Sequence, residues 1–101
     1  MINSKLTGYQ RKFLRSQAHH LKPLVFVGKN ELTDGVLHSI NQSLDSHELI
    51  KVKFQAGKVD EAYKDSIVKK TNCHIAGSIG KVLILFRQNK DKDKQKIELP
   101  K

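Results

Sequence analysis

Between Pro23 and Gly28 the chain carries four consecutive apolar residues, Leu24-Val25-Phe26-Val27. The residue before a proline disfavours the helical region, and Gly28 interrupts the run at its other end, so there is room for one short strand and nothing longer. No polar residue alternates within it, which predicts a strand covered on both faces or nearly so. Segments of helical period lie on either side. Upstream, Phe13, Leu14, Ala18 and Leu21 recur at the spacing of one buried side, with Leu6 and Tyr9 extending it, and predict a helix from near Thr7 to about His20. Arg11, Arg15 and His19 fall at i, i+4 and i+8 of the same segment, bordered by Lys12 and Lys22, so one side packs and another is cationic.

Downstream, the loop Gly28-Lys29-Asn30-Glu31 leads to a second helix with Thr33 as its N-cap. Leu32 and Leu37 are spaced as a hydrophobic staple, Val36, Leu37, Ile40 and Leu44 form the buried stripe, and Ser46-His47 ends the pattern. Ile50, Val52 and Phe54 alternate with Lys51 and Lys53, the period of a half-buried strand. A third helix is expected from about Asp60 to Lys70, with Val59, Tyr63 and Ile67 on one side and Val68 off the stripe. Cys73 to Ala76 reads as a strand, Gly77-Ser78-Ile79-Gly80 as a turn, and Val82 to Phe86 as an apolar strand completing a hairpin. The order α-β-α-β-α-β-β predicts an α/β (α+β) domain: a four-stranded mixed sheet with helices packed on it. It spans residues 1–88, followed over 89–101 by a charged extension; residues 88–96 read as flexible, and Ile97 and Leu99 after them alternate as a segment able to dock back.

Composition narrows the function. A chain of 101 residues makes one domain, and no stretch approaches the ~20 apolar residues of a spanning helix. Cys73 is the single cysteine, which excludes a disulfide scaffold and suits a reducing, cytoplasmic setting. The net charge of +9 is segregated: residues 1–30 hold six Lys/Arg and no acid, whereas residues 31–50 hold Glu31, Asp34, Asp45 and Glu48 and no Lys/Arg. Such segregation implies a basic face directed at a polyanion. The competing reading is a protein-interaction module, its basic face meeting an acidic partner and the 31–50 block forming a second contact surface.

Catalytic and metal chemistry finds no support in the spacing. His19 and His20 are adjacent and point about 100° apart on a helix. Cys73-His74 lacks the paired spacing of a zinc site, and Cys73 has the context of a small buried residue. No nucleophile elbow, carboxylate pair or phosphate-loop lysine pattern is present. No enzyme activity, cofactor or metal is expected. Two glycine loops remain. Gly77 to Gly80 has the GxxG spacing of an RNA-clamping loop but lies between strands, where a hairpin turn accounts for it. Gly28 to Glu31 lies between a strand and a helix N-terminus, a place that favours an anion such as a phosphate.

The runs LKPLVFVGKNELTDGVL, HELIKVKF and IGKVLILFR, in this order and spacing, resemble the CRM domain, and specifically the small stand-alone bacterial YhbY-type RNA-binding proteins. The resemblance implies a fold similar to the C-terminal domain of bacterial initiation factor three. It also implies binding to structured RNA and association with precursors of the large (50S) ribosomal subunit. The family's GxxG loop maps onto Gly28, Lys29, Asn30 and Glu31. At its second glycine this chain carries Glu31, a carboxylate that opposes an anion in the loop and is favoured beside a helix N-terminus. The expected footprint is Arg11, Lys12, Arg15, His19 and Lys22 with Gly28, Lys29 and Asn30, and Lys51 and Lys53 as a second patch. Contacts would go mainly to phosphate and ribose of ribosomal RNA, bound by a monomer away from any membrane. The six aromatic residues fall mostly on core stripes, which leaves little for base stacking.

Overall fold

A computed structural model describes residues 6–28, 32–55 and 61–100. The expectations that fall on Lys29, Asn30, Glu31, Gly57, Val59 and Asp60 lie outside the described residues. The elements are α1 (Gly8–Ala18), β1 (Val25–Val27), α2 (Asp34–His47), β2 (Leu49–Phe54), α3 (Glu61–Thr71), β3 (His74–Ile79), β4 (Val82–Phe86) and a short 3-10 turn, η1 (Lys92–Lys94). The expected order and mixed sheet are both present. Strands run β1-β2-β4-β3, with β1 parallel to β2 and β4 antiparallel to both β2 and β3.

Local chemistry fixes the helix starts. Thr7 Oγ1 accepts from the Gln10 amide while Gln10 Oε1 accepts from the Thr7 amide, both at 3.0 Å, a reciprocal capping box. Thr33 Oγ1 accepts from the Val36 amide at 3.2 Å as the N-cap of α2.

The sheet divides two cores. One face carries α2 and α3 over Val25, Val27, Ile50, Val52, Phe54, Leu83 and Leu85, with Ile40, Leu44 and Ile67 from the helices. The other carries α1, whose Leu14 and Ala18 join Leu6, Leu49, Ala76, Ile84 and Phe86. Ile97 and Leu99 pack against this second cluster, so the tail docks as their alternation suggested. It is held by Glu48, buried with 1% exposure, whose carboxylate accepts from the amides of Asn89 (2.6 Å), Lys96 (2.7 Å) and Ile97 (2.8 Å).

Four local expectations are corrected. β1 is an edge strand with one covered face: Val25 and Val27 are buried, whereas Phe26 is 65% exposed. Leu21 lies beyond the end of α1 and is exposed, as is Tyr9, about 140° around the helix from Leu14. β3 begins at His74 and continues through Gly77 to Ile79, so the turn is Gly80-Lys81 alone, with Gly80 at φ +58°. Gly77 serves a close approach instead. A β-carbon there would lie 2.6 Å from Arg15 Cδ, because the stem of Arg15 crosses it. Residues 88–100 also make more fixed contacts than a flexible extension, through Glu48 and through Gln10 Nε2 donating to the Pro100 carbonyl at 2.9 Å.

Candidate nucleic-acid interface

Neither α1 nor any of the four strands contains an Asp or Glu. The cations of these elements therefore meet no carboxylate on their own segments. On α1, Arg11, Lys12 and Arg15 are exposed, and His19 and Lys22 are exposed just past its end. Arg11 folds back to donate to the Leu6 carbonyl at 2.7 Å. Arg15 donates to the Ala76 carbonyl at 3.1 Å while its stem lies on Gly77, which fixes its guanidinium over β3. The rings of His19 and His20 meet edge to face at 5.2 Å.

The register carries this surface across the sheet. Gly77 pairs with Ile84, and Ile84 with Lys51, so Arg15 and Lys51 belong to the same face. Lys51 Nζ donates to the Leu21 carbonyl at 3.0 Å, which ties the end of α1 to β2. Two residues on, Lys53 is exposed on that face, paired with Phe26 on one side and Val82 on the other. Gly28 is exposed at the end of β1, where the space a side chain would take lies 3.7 Å from Gln55 Oε1. Lys29 and Asn30 lie outside the described residues. The structure thus brings Arg15, Lys51 and Lys53 onto one face, while Arg11, Lys12, His19 and Lys22 are exposed on α1 and just past its end.

Among the described acids of the 31–50 block, Asp34 and Asp45 are exposed and Glu48 is buried. Asp45 pairs with Arg87 at 2.7 Å, and Glu48 is enclosed by backbone amides. Asp34 sits in the first turn of α2, where the helix dipole favours a negative charge. Arg87 is likewise internal to the fold: it also donates to Asn41 Oδ1 at 2.7 Å, to the Asn41 carbonyl at 3.0 Å and to the Thr71 carbonyl. Cys73 is fully buried, its thiol pushed up by desolvation and in hydrogen-bond contact with Thr71 Oγ1 at 3.1 Å. Burial holds His74 below the ordinary histidine value. Among the described residues no group of three or more His, Cys, Asp or Glu is placed to hold a metal ion. Nor is any helix of the described residues long and apolar enough to cross a membrane.

Sequence reasoning missed Phe26, Gln55 and Lys81. These three line, with Gly28 and Lys53, an open cleft of about 500 Å³ at the ends of β1 and β2. The signal for Phe26 was the brevity of its run, since very short strands belong at sheet edges.

Comparison with known proteins places this geometry. A Haemophilus influenzae protein named "RNA-binding protein" is 39% identical over 98 residues, covering 95% of this chain and 96% of the relative. The Bacillus subtilis "Probable RNA-binding protein YqeI" is 37% identical over 99 residues, covering 94% and 99%. The solution structure of a Staphylococcus aureus protein superposes with a TM-score of 0.72 at 28% identity, covering 94% of this chain and 99% of that one. The model of the CRS1 / YhbY (CRM) domain matches residues 6–87, from the residue before the α1 cap to the arginine that closes β4. With its fold, its length and its sequence in agreement, the chain belongs to the CRS1/YhbY (CRM) domain family.

Proposed function

We infer that this protein binds RNA through the α1 side of its sheet, and that its RNA is the structured ribosomal RNA of large-subunit precursors, whose assembly it assists. The observation that carries the reading is the acid-free continuity of α1 and the strands, which sets Arg15, Lys51 and Lys53 on one face. The relatives named for RNA binding support the class of ligand. The resemblance to YhbY-type proteins supports the large-subunit precursor. The RNA-binding unit is residues 1–88, acting as a cytoplasmic monomer, with 89–101 as its charged extension, of which Asn89, Lys96, Ile97 and Pro100 are tied to it by hydrogen bonds. Arg11, Lys12, Arg15, His19, Lys22, Lys51 and Lys53 supply phosphate and ribose contacts, together with Gly28, Lys29 and Asn30. Such contacts give affinity and register with little sequence reading.

A protein-interaction module fits less well, because two of the acids it would present are already engaged. Titrating large-subunit ribosomal RNA across a salt series tests the proposal. With about four to six phosphates neutralised, log K falls against log salt with a slope of roughly −3 to −5. Changing Lys12, Arg15 and Lys22 together to Ala should flatten that slope by about 2–3 and weaken binding across RNA sequences alike. A flat salt dependence of the unmodified protein overturns it. Crosslinking in cells, with sedimentation of ribosomal particles, identifies the RNA and the particle.

A further inference from the structure

The α1 side of the sheet is left open at one end. Pairing runs Ile79 to Val82, Val82 to Lys53 and Lys53 to Phe26, a single row that crosses all four strands. Residues in register share a face, so the row presents an apolar–apolar–lysine–phenylalanine strip to solvent. Phe26 and Ile79 are each 65% exposed, and Lys53 is exposed between Phe26 and Val82. α1 and the docked tail cover the other end of this face, over Leu49, Ile84 and Phe86, and stop before the row.

We propose that Phe26 stacks an unpaired nucleobase of the bound RNA, with Lys53 and Lys81 holding the adjoining phosphates. This rests on the RNA-binding reading and extends it from phosphate contact to capture of an extruded base. Three observations choose this occupant. The cleft beside Phe26 is lined by both lysines and, among the described residues, by no acid, so it complements a polyanion. Its volume of about 500 Å³ falls in the range of about 300–1,000 Å³ typical of small-ligand sites. The Gln55 carboxamide and the exposed backbone at Gly28 also line it, giving a polar wall beside an aromatic face. Structured RNA offers such bases in loops and bulges, where they stack on aromatic side chains. A second copy of this chain suits the row poorly, because a two-fold contact would gather the lysines of both copies into one interface that, among the described residues, has no acid in its lining.

The chain has no tryptophan, so Phe26→Trp creates a unique fluorescent reporter at the site. The probes are a single-stranded 12-nucleotide oligoadenylate, a fully paired RNA duplex and large-subunit ribosomal RNA. The expected result is quenching of the reporter by the oligoadenylate and not by the duplex. Phe26→Ala should weaken oligoadenylate binding roughly 5- to 150-fold, the range of one lost stacking contact, with the salt slope unchanged because no charge is removed. Undiminished affinity of Phe26→Ala, or an unquenched reporter while ribosomal RNA still binds, overturns the stacking and leaves RNA binding standing. Failure of the unmodified protein to bind any of the three RNAs removes both. A dimer in sedimentation that Phe26→Ala dissociates also overturns the proposal, by assigning the row to self-association.

Discussion

The two faces of the sheet differ in how much helix they carry, and β1 shows the consequence within three residues. Val25 and Val27 point to the α2/α3 side and are buried, while Phe26 between them points to the α1 side and is 65% exposed. All three are apolar, so hydropathy does not decide their fates. Coverage does. α2 and α3 bury the inner residues of β1, β2 and β4 and pack against Ile75 of β3, whereas α1 and the tail bury only the Leu49 end of the opposite face. Full burial of a large apolar side chain is worth about 1.5–3 kcal/mol, which Phe26 and Ile79 largely forgo. A fold with two helices on one side and one on the other thus leaves a strip of sheet uncovered.

The comparison breaks most readily at two apolar residues. Ile40 in α2 is fully enclosed by the covered face, and Ile40→Ala should cost about 3–4 kcal/mol through lost burial and the cavity left behind. Phe26→Ala removes more carbon but should change stability by no more than about 0.5 kcal/mol, as at other solvent-facing positions. Urea denaturation of the two variants measures both. A Phe26→Ala loss approaching that of Ile40→Ala means that the α1 face is closed after all.

The next largest effect is expected where the tail closes its end of that face. Glu48 holds three backbone amides from a position of φ 63°, a conformation that side chains other than glycine rarely adopt. Glu48→Ala leaves those amides without their acceptor and should cost about 2–4 kcal/mol. Glu48→Gly loses the same acceptor but relieves about 1 kcal/mol of backbone strain, so it should be the milder change. Hydrogen exchange adds a local readout: the amides of Asn89, Lys96 and Ile97 should lose protection in both variants. If Glu48→Ala leaves protection and stability as they were, the carboxylate does not anchor the tail.

Much of this architecture was legible because it arises from local spacing. The helix start near Thr7, the cap at Thr33, the stripe Leu37-Ile40-Leu44 and the alternation Ile50-Val52-Phe54 are all present as the spacing declares them. The features that escaped depend on partners distant in sequence. The brevity of its run marks the strand of Phe26 as an edge, yet nothing near Phe26 says that no helix will lie over it. Glu48 counts as −1 in an acidic block until residues 89–97 are seen to enclose it. Gly77 resembles a turn glycine until Arg15, 62 positions earlier, is found lying on it. For the candidate site, the cationic side of α1 and the two lysines of β2 were readable from periodicity. The cleft that joins Lys53 to Phe26 and Lys81 was not, since it needs the β1–β2 and β2–β4 registers together.

The smallest effect tests how α1 is seated on the partly covered face. A β-carbon at Gly77 would meet Arg15 Cδ at 2.6 Å and Cγ at 3.0 Å, so Gly77→Ala must push the arginine stem aside. The guanidinium then leaves the Ala76 carbonyl it reaches at 3.1 Å. The expected cost is about 1 kcal/mol, at the low end for overpacking because the displaced group is a side chain with room on its solvent side. The same substitution in an Arg15→Ala background has nothing to displace. There it should be neutral or slightly stabilising, since alanine loses less chain entropy than glycine in a strand. A double-mutant cycle by chemical denaturation isolates this coupling from the strand preference itself. Equal costs in the two backgrounds would show that Arg15 does not rest on β3, and its guanidinium would then be a free surface cation instead of one held over the strand.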